Sequence, residues 1–390
     1  MKIKKIILVV FSRANYSTVK GILAEIKKDK KIKYVLIVGS SAVITKYGSI
    51  LKIIKDDGFK THYILQNQIE GTTTKSMVKT TGLALYELPE ILEKENPDMV
   101  FTVGDRHETI STAIAASYMN IPLAHTMGGE VTGSIDESIR HAITKLAHIH
   151  FVANQDSYNR VVKLGENKSR VFNVGCPRID SVDNILKSYK PKKCFEEISK
   201  RGSGELDSIL HTDEYIVLLY HPVTTEYYKN HESFENALDA FLSINIKKKI
   251  ILWPNADAGG DIISRILRVK KEKKLLDNVK FFKNLPIELY IPLIHRAKCL
   301  VGNSSSAIRD GAYVGVRAVN IGNRQSSRLV GPNIVSCSYS KREIIKSINL
   351  QIKKKKASQS TIYGKPGAAK KIIKILNKIK EIKIQKKISY

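Results

Sequence analysis

Ile6-Ile7-Leu8-Val9-Val10-Phe11-Ser12-Arg13-Ala14-Asn15-Tyr16-Ser17 is the first apolar run of the chain and the polar exit that follows it. Val19, Ile22, Leu23 and Ile26 then recur at helical spacing, and a second apolar run occupies 34–38. Five apolar residues, an amphipathic helix and five more apolar residues read as a β-α-β unit, because a strand buried on both faces has no need of alternation. The same rhythm repeats, with strands expected at 99–103, 121–125, 149–152 and 171–174. A second series is expected at 215–219, 250–253, 279–282, 299–301, 318–321 and 334–337. The fold class that follows is α/β, with two mostly parallel sheets covered by helices.

Between the series, residues 179–213 lose the rhythm. They contain Lys190-Pro191-Lys192-Lys193 and Arg201-Gly202-Ser203-Gly204 and read as a connection. The division expected is therefore a first domain at 1–178, the connection at 179–213, a second domain at 214–364, and a terminal element at 365–390. In the last of these, Gly364-Lys365-Pro366-Gly367 precedes Ile372, Ile373, Leu376 and Ile379 at helix spacing, an apolar stripe suited to docking onto the body.

Composition narrows the partners. The formal charge of +28 comes from 50 lysines and 15 arginines against 37 acids, and the lysines are scattered, as in a solvated surface, so no nucleic-acid site is read from them. No apolar run approaches the roughly 20 residues that span a bilayer, and the run at 6–10 is too short for a signal peptide core. Cys176, Cys194, Cys299 and Cys337 lack the close spacing of a disulfide framework or a zinc module, which fits a reducing cytoplasm. His141 and His148 have no third ligand nearby, so no metal is expected.

There is no GxGxxG after the first strand and no GxxxxGK[ST], which argues against a simple nicotinamide dehydrogenase or a P-loop ATPase. Polar residues nevertheless follow the carboxyl ends of the strands, where open α/β sheets bind ligands. Gly104-Asp105-Arg106 follows 99–103, and His125-Thr126-Met127-Gly128-Gly129-Glu130 leads on to Asp136 and Arg140. Two carboxylates in one cleft can divide acid and base roles. Asp136 is equally placed to cap a helix or to pair with Arg140 four residues on. In the second series His221 can donate to a phosphate oxygen, Asn255 sits at a strand exit, and Gly302-Asn303-Ser304-Ser305-Ser306 offers the small donors that a pyrophosphate requires. Arg324 is placed to clamp the same anion or the acid at Asp310.

These motifs, together with Ile135-Asp136-Glu137-Ser138-Ile139-Arg140-His141, His221-Pro222-Val223-Thr224-Thr225 and Asn323-Arg324-Gln325, resemble the hydrolysing UDP-N-acetylglucosamine 2-epimerases over essentially the whole chain. The resemblance implies a GT-B-like fold, two Rossmann-like domains facing a central cleft, with a terminal helix returning to the first. It implies that UDP leaves C1 as the C2 proton is removed, and that the bound 2-acetamidoglycal is then hydrated and reprotonated from the opposite face. No cofactor is needed. Catalytic roles carry over to Asp105, Asp136 and His221, and substrate or nucleotide contacts to Arg13, Ser17, Arg106, Asn255, Ser304, Ser305, Asp310 and Arg324. A UDP-sugar partner, a homodimer or homotetramer, and no membrane are implied as well.

The departures are concentrated. Met127 stands where relatives carry a catalytic glutamate, and Glu130, three residues on, is the substitute within the same segment. Asn15 replaces an acid, Ser41 a histidine, and Asp310 a glutamate. Together they point to an altered sugar pocket, with a UDP- or GDP-linked 2,4-diacetamido-2,4,6-trideoxyhexose as the alternative substrate. A GT-B glycosyltransferase and a nucleotide-sugar binding protein without turnover are the other function classes.

Overall fold

In the computed structural model, which describes residues 3–204, 206, 208–254, 257–283 and 285–389, the chain forms two parallel sheets. The first half runs β1 (Lys5–Val10), α1 (Arg13–Asp29), β2 (Lys33–Val38), α2 (Leu51–Asp56), β3 (Tyr63–Ile64) and α3 (Thr74–Glu95). It continues with β4 (Met99–Val103), α4 (Thr109–Tyr118), β5 (Leu123–Thr126), α5 (Asp136–Leu146), β6 (Ile149–Val152), α6 (Gln155–Lys163) and β7 (Val171–Asn173). Its seven strands lie in the order β3-β2-β1-β4-β5-β6-β7. The central strands are buried along their length, as at β4, where all five residues are inaccessible, so near-continuous apolar runs are what this sheet requires. β3 is two residues long and carries no apolar run to announce it.

The first part of the connection, residues 179–199, is largely helical. The connection begins with α7 (Pro177–Ser188) and α8 (Pro191–Ser199). Both helices open on proline, whose missing N–H costs nothing in the first turn, so the lysine-proline stretch that reads as a break is a helix start. Ile179 and Val182 on one helix, and Phe195 and Ile198 on the other, are buried in the main core.

The second half runs β8 (Tyr215–Leu219), α9 (Asn230–Ser243), β9 (Lys248–Leu252), α10 (Gly260–Glu272), β10 (Val279–Phe282), α11 (Ile287–Arg296) and β11 (Cys299–Gly302). It ends with α12 (Ser305–Ile308), α13 (Asp310–Val314), β12 (Ala318–Ile321), β13 (Ile334–Cys337) and α14 (Lys341–Ile352). Its sheet order is β10-β9-β8-β11-β12-β13. In each sheet the order reverses between the first strand and the fourth, β1/β4 and β8/β11, and these switch points mark where an open sheet binds ligand.

The chain then crosses back. Tyr363 O accepts from Cys176 N at 2.9 Å, and Gly364, at φ +101°, lies so close to Gly175 that a Cβ there would meet its Cα at 2.4 Å. α15 (Ala368–Leu376) packs on α1 and α7. Its N-terminus is capped from the first half, where the Asp180 carboxylate accepts from Gly367 N (2.7 Å), Ala368 N (3.1 Å) and Ala369 N (2.8 Å). A carboxylate on three free amides at a helix start satisfies donors and complements the dipole. Among the described residues no helix is long and apolar enough to cross a membrane.

Candidate active site between the two sheets

The carboxyl ends of both sheets face a cavity of about 250 Å³. From the first half come Arg13 and Ser17 on α1, Asp105 and Arg106 after β4, Met127 after β5, and Asp136 at the start of α5; from the second come His221, Ser304, Ser305, Asp310 and Arg324. The site residues expected from the sequence are therefore brought together, with two exceptions. Asn255 lies outside the described residues, and Glu130 is not among the lining residues.

Glu130 is buried behind the wall. Its Oε2 is shared by the Arg309 guanidinium and by Arg328 at 2.9 Å, while its backbone carbonyl accepts from Arg140 at 2.5 Å. With Oε2 taken up by two guanidiniums and the side chain off the cavity wall, Glu130 is a brace for Arg309 and Arg328, not a stand-in for an acid at 127. Met127 itself is on the wall, with its sulfur 3.9 Å from Thr18 Oγ1 and 3.9 Å from Arg309 Nη1.

Arg140 pairs with Asp105, not with Asp136. Asp136 is the first residue of α5, and its Oδ2 accepts from Ser134 Oγ at 3.1 Å. Burial pushes its carboxyl above the usual range; Arg324 and Arg106 pull it down, and Asp257 adds to the rise. The two acids therefore stand in different surroundings, one in an ion pair and one half-buried with no ion pair among the described residues.

Arg106 forks between Glu108 (3.2 Å) and Asp257 (2.9 Å), the latter reaching over from the second half. Burial disfavours the charged form of Asp257, but Arg106 and Arg324 outweigh it and hold the group at about 2. Asp310 is fully buried and its carboxylate takes a two-pronged hydrogen bond from Arg178, Nε to Oδ1 and Nη2 to Oδ2 each at 2.7 Å. Arg324 is therefore not its partner. Among the described residues Arg324 forms no ion pair, and its Nη1 donates to Asn303 O at 3.2 Å.

The second half supplies a rigid floor. Asn303 accepts from His221 N and donates to His221 O, both at 2.7 Å, which ties the exit of β8 to that of β11. At Gly302, φ is +135° and a Cβ would sit 2.1 Å from Leu219 O, so only glycine permits this approach. Burial, and then Arg324, lower the His221 imidazole to about 3, so it is neutral at pH 7 and not cationic. Ser306 is occupied by Asp310 and Tyr290 (2.6 and 2.7 Å), while Ser304 and Ser305 remain on the cavity wall beside Arg324.

Two departures have structural reasons. Asn15 donates to Val103 O at 3.2 Å and accepts from Phe11 N at 3.2 Å, a two-way link between β1 and β4 that an ionised acid could not make. Ser41 donates to Phe11 O at 3.0 Å. Arg178, Asp257 and the set Lys20, Asp57 and Glu288 were not singled out by the sequence reading. Lys20 lies 2.6 Å from both acids, bridging the cleft. Asp257, two residues after Asn255, and Lys20, three after Ser17, lie beside residues already in hand, whereas Arg178, Asp57 and Glu288 carry no such local signal.

The UDP-N-acetylglucosamine 2-epimerase family model matches residues 24–377. The chain belongs to that family. A relative from Legionella pneumophila, named UDP-N,N'-diacetylbacillosamine 2-epimerase (hydrolyzing), is 30% identical over 379 residues, 97% of this chain and 96% of the relative. The UDP-N-acetylglucosamine 2-epimerase of Neisseria meningitidis is 30% identical over 348 residues, covering 88% and 86%. The crystal structure of UDP-GlcNAc 2-epimerase from Neisseria meningitidis bound to UDP-GlcNAc superposes with a TM-score of 0.78 at 17% identity, over 96% of this chain and 100% of that one. The epimerase fold, GT-B-like with two α/β domains, is thus shared throughout.

Proposed function

We propose that this epimerase is of the hydrolysing type and converts UDP-N-acetylglucosamine and water to N-acetylmannosamine and UDP. The observation that supports this best is the placement of two acids in unlike surroundings, Asp105 and Asp136, across the cavity from Ser304, Ser305, His221 and Arg324. Asp105, ion-paired with Arg140, takes the C2 proton as the C1–O bond to UDP breaks. Ser304, Ser305 and Arg324 stabilise the charge arriving on the diphosphate, and neutral His221 donates a hydrogen bond to it. Asp136, whose half-buried carboxyl is raised above its usual range by desolvation, returns a proton to C2 from the opposite face while water adds its hydroxyl to C1. The second proton of that water and the proton on Asp105 leave to solvent, and Asp136 is reprotonated, so substrate plus water balances sugar plus UDP.

A second reading, a UDP-linked 2,4-diacetamido-2,4,6-trideoxyhexose, is favoured by Met127. It places a thioether on the wall where a catalytic acid is expected from the resemblance, and the relative named for such a substrate matches over nearly the whole chain. The test is to incubate the protein in deuterated water with each UDP-sugar, measuring UDP by anion exchange and the free sugar by NMR. Release of the 2-epimer with deuterium at C2 is expected. No UDP from either substrate, or a product without C2 deuterium, removes the hydrolysing reading; product only on addition of an acceptor makes it a glycosyltransferase.

A further inference from the structure

We infer that Asp257 is a positioning residue of the reaction: from the second half of the molecule it fixes Arg106 beside the catalytic pair of the first half. The inference rests on the hydrolysing reading above.

Three observations carry it. The segment from Asp257 to Asp261 is docked directly on the first half, since Thr72 O accepts from Gly259 N at 2.8 Å and Thr72 Oγ1 accepts from Asp261 N at 3.0 Å. That docking supplies the start of α10 with acceptors, for Gly259 has no capping side chain of its own. Asp257 in turn holds Arg106 Nη1 at 2.9 Å, while Glu108 holds the other edge of the same guanidinium. Arg106 lines the cavity one residue from Asp105, so its planar fork is fixed by one acid from each half.

The charge of Asp257 also enters the surroundings of Asp136. The groups that face Asp136 are Arg324 from the exit of β12, Arg106 from the exit of β4 and Asp257 before α10, with Ser134 on its own loop. Those facing Asp257 are Arg106, Arg324, His221 and His107. Asp257 is a carboxylate among them, and its negative charge favours the protonated form of Asp136.

The test compares wild type, Asp257→Asn, Asp257→Glu and Thr72→Val in kcat and KM across pH, using only variants whose melting shows a folded protein. Asp257→Asn is expected to lower kcat by roughly 100-fold, the cost of misplacing a group by about 1 Å, and to move the limb of the pH profile that belongs to Asp136 to lower pH. Asp257→Glu, which keeps the charge, is expected to recover the limb. Thr72→Val, which loosens the docking and keeps the charge, is expected to raise KM with the limb in place. A profile and kcat unchanged in Asp257→Asn, or a loss confined to KM or melting temperature, overturns the inference. A wild type that releases no UDP overturns instead the reading on which it stands.

Discussion

Asp105 and Asp136 differ in what surrounds each carboxyl group, and that difference is measurable in two ways. Replacing either by asparagine is expected to lower kcat by about 10²–10⁴-fold, the range of a lost general acid or base, checked by initial rates of UDP release. Asp136→Asn carries a second expectation. Its carboxyl is raised in the folded chain by burial, so ionising it costs stability, and that cost is absent below the ordinary carboxylate pKa, grows between that pKa and the raised folded value, and is constant above it. The asparagine variant should therefore melt higher than wild type at neutral pH, with the gain vanishing toward pH about 4; thermal melts across pH check this, and a variant that melts lower at every pH refutes it. Met127 invites the reverse experiment. Met127→Glu puts an acid within reach of Arg309 and is expected to raise turnover of UDP-N-acetylglucosamine relative to the diacetamido sugar, read as the ratio of the two kcat/KM values; an unchanged ratio returns Met127 to a passive wall.

At the scale of elements, the terminal helix shows how a short segment is held in place. α15 is nine residues long, too short to persist alone. Its stability comes from the apolar stripe of Ile372, Ile373 and Leu376 buried in the main core, and from the Asp180 cap at its N-terminus. Asp180→Ala is expected to cost about 1–2 kcal/mol, appearing as faster hydrogen exchange in residues 367–379 before any change in the sheets; equal loss of protection everywhere would show that the helix and the body melt as one. α7 and α8 illustrate the same logic, since each starts on proline and buries a few apolar residues against elements distant in sequence.

At the scale of the whole molecule, the cleft is shut by charge pairs of unequal depth. Arg178–Asp310 and the Glu130 pairs are buried, whereas the Lys20–Glu288 pair is at the rim, with Glu288 45% exposed. A rim pair is worth roughly 0–1 kcal/mol, so Glu288→Gln is expected to raise KM by no more than about fivefold with kcat preserved. Arg178→Lys, which loses the fork on a fully buried acid, should lower the melting temperature far more. Initial rates and melts on the same preparations separate the two. Apart from the two-residue β3, the succession of strands, the helical face of α1 and the polar exits after β4, β5, β8, β11 and β12 were legible in the sequence, because apolar periodicity and the residues that end an element act over a few neighbours. Partner choice was not. That Arg140 goes to Asp105, that Glu130 is locked behind Arg309 and Arg328, and that Asp257 reaches Arg106 depends on distances between segments up to about two hundred residues apart. Local sequence suffices for the two α/β halves and for which acids and donors lie at their strand ends; which of those charges face the cavity and which neutralise one another follows from the folded arrangement alone, because electrostatic pairing depends on separation in space and burial, not on position along the chain.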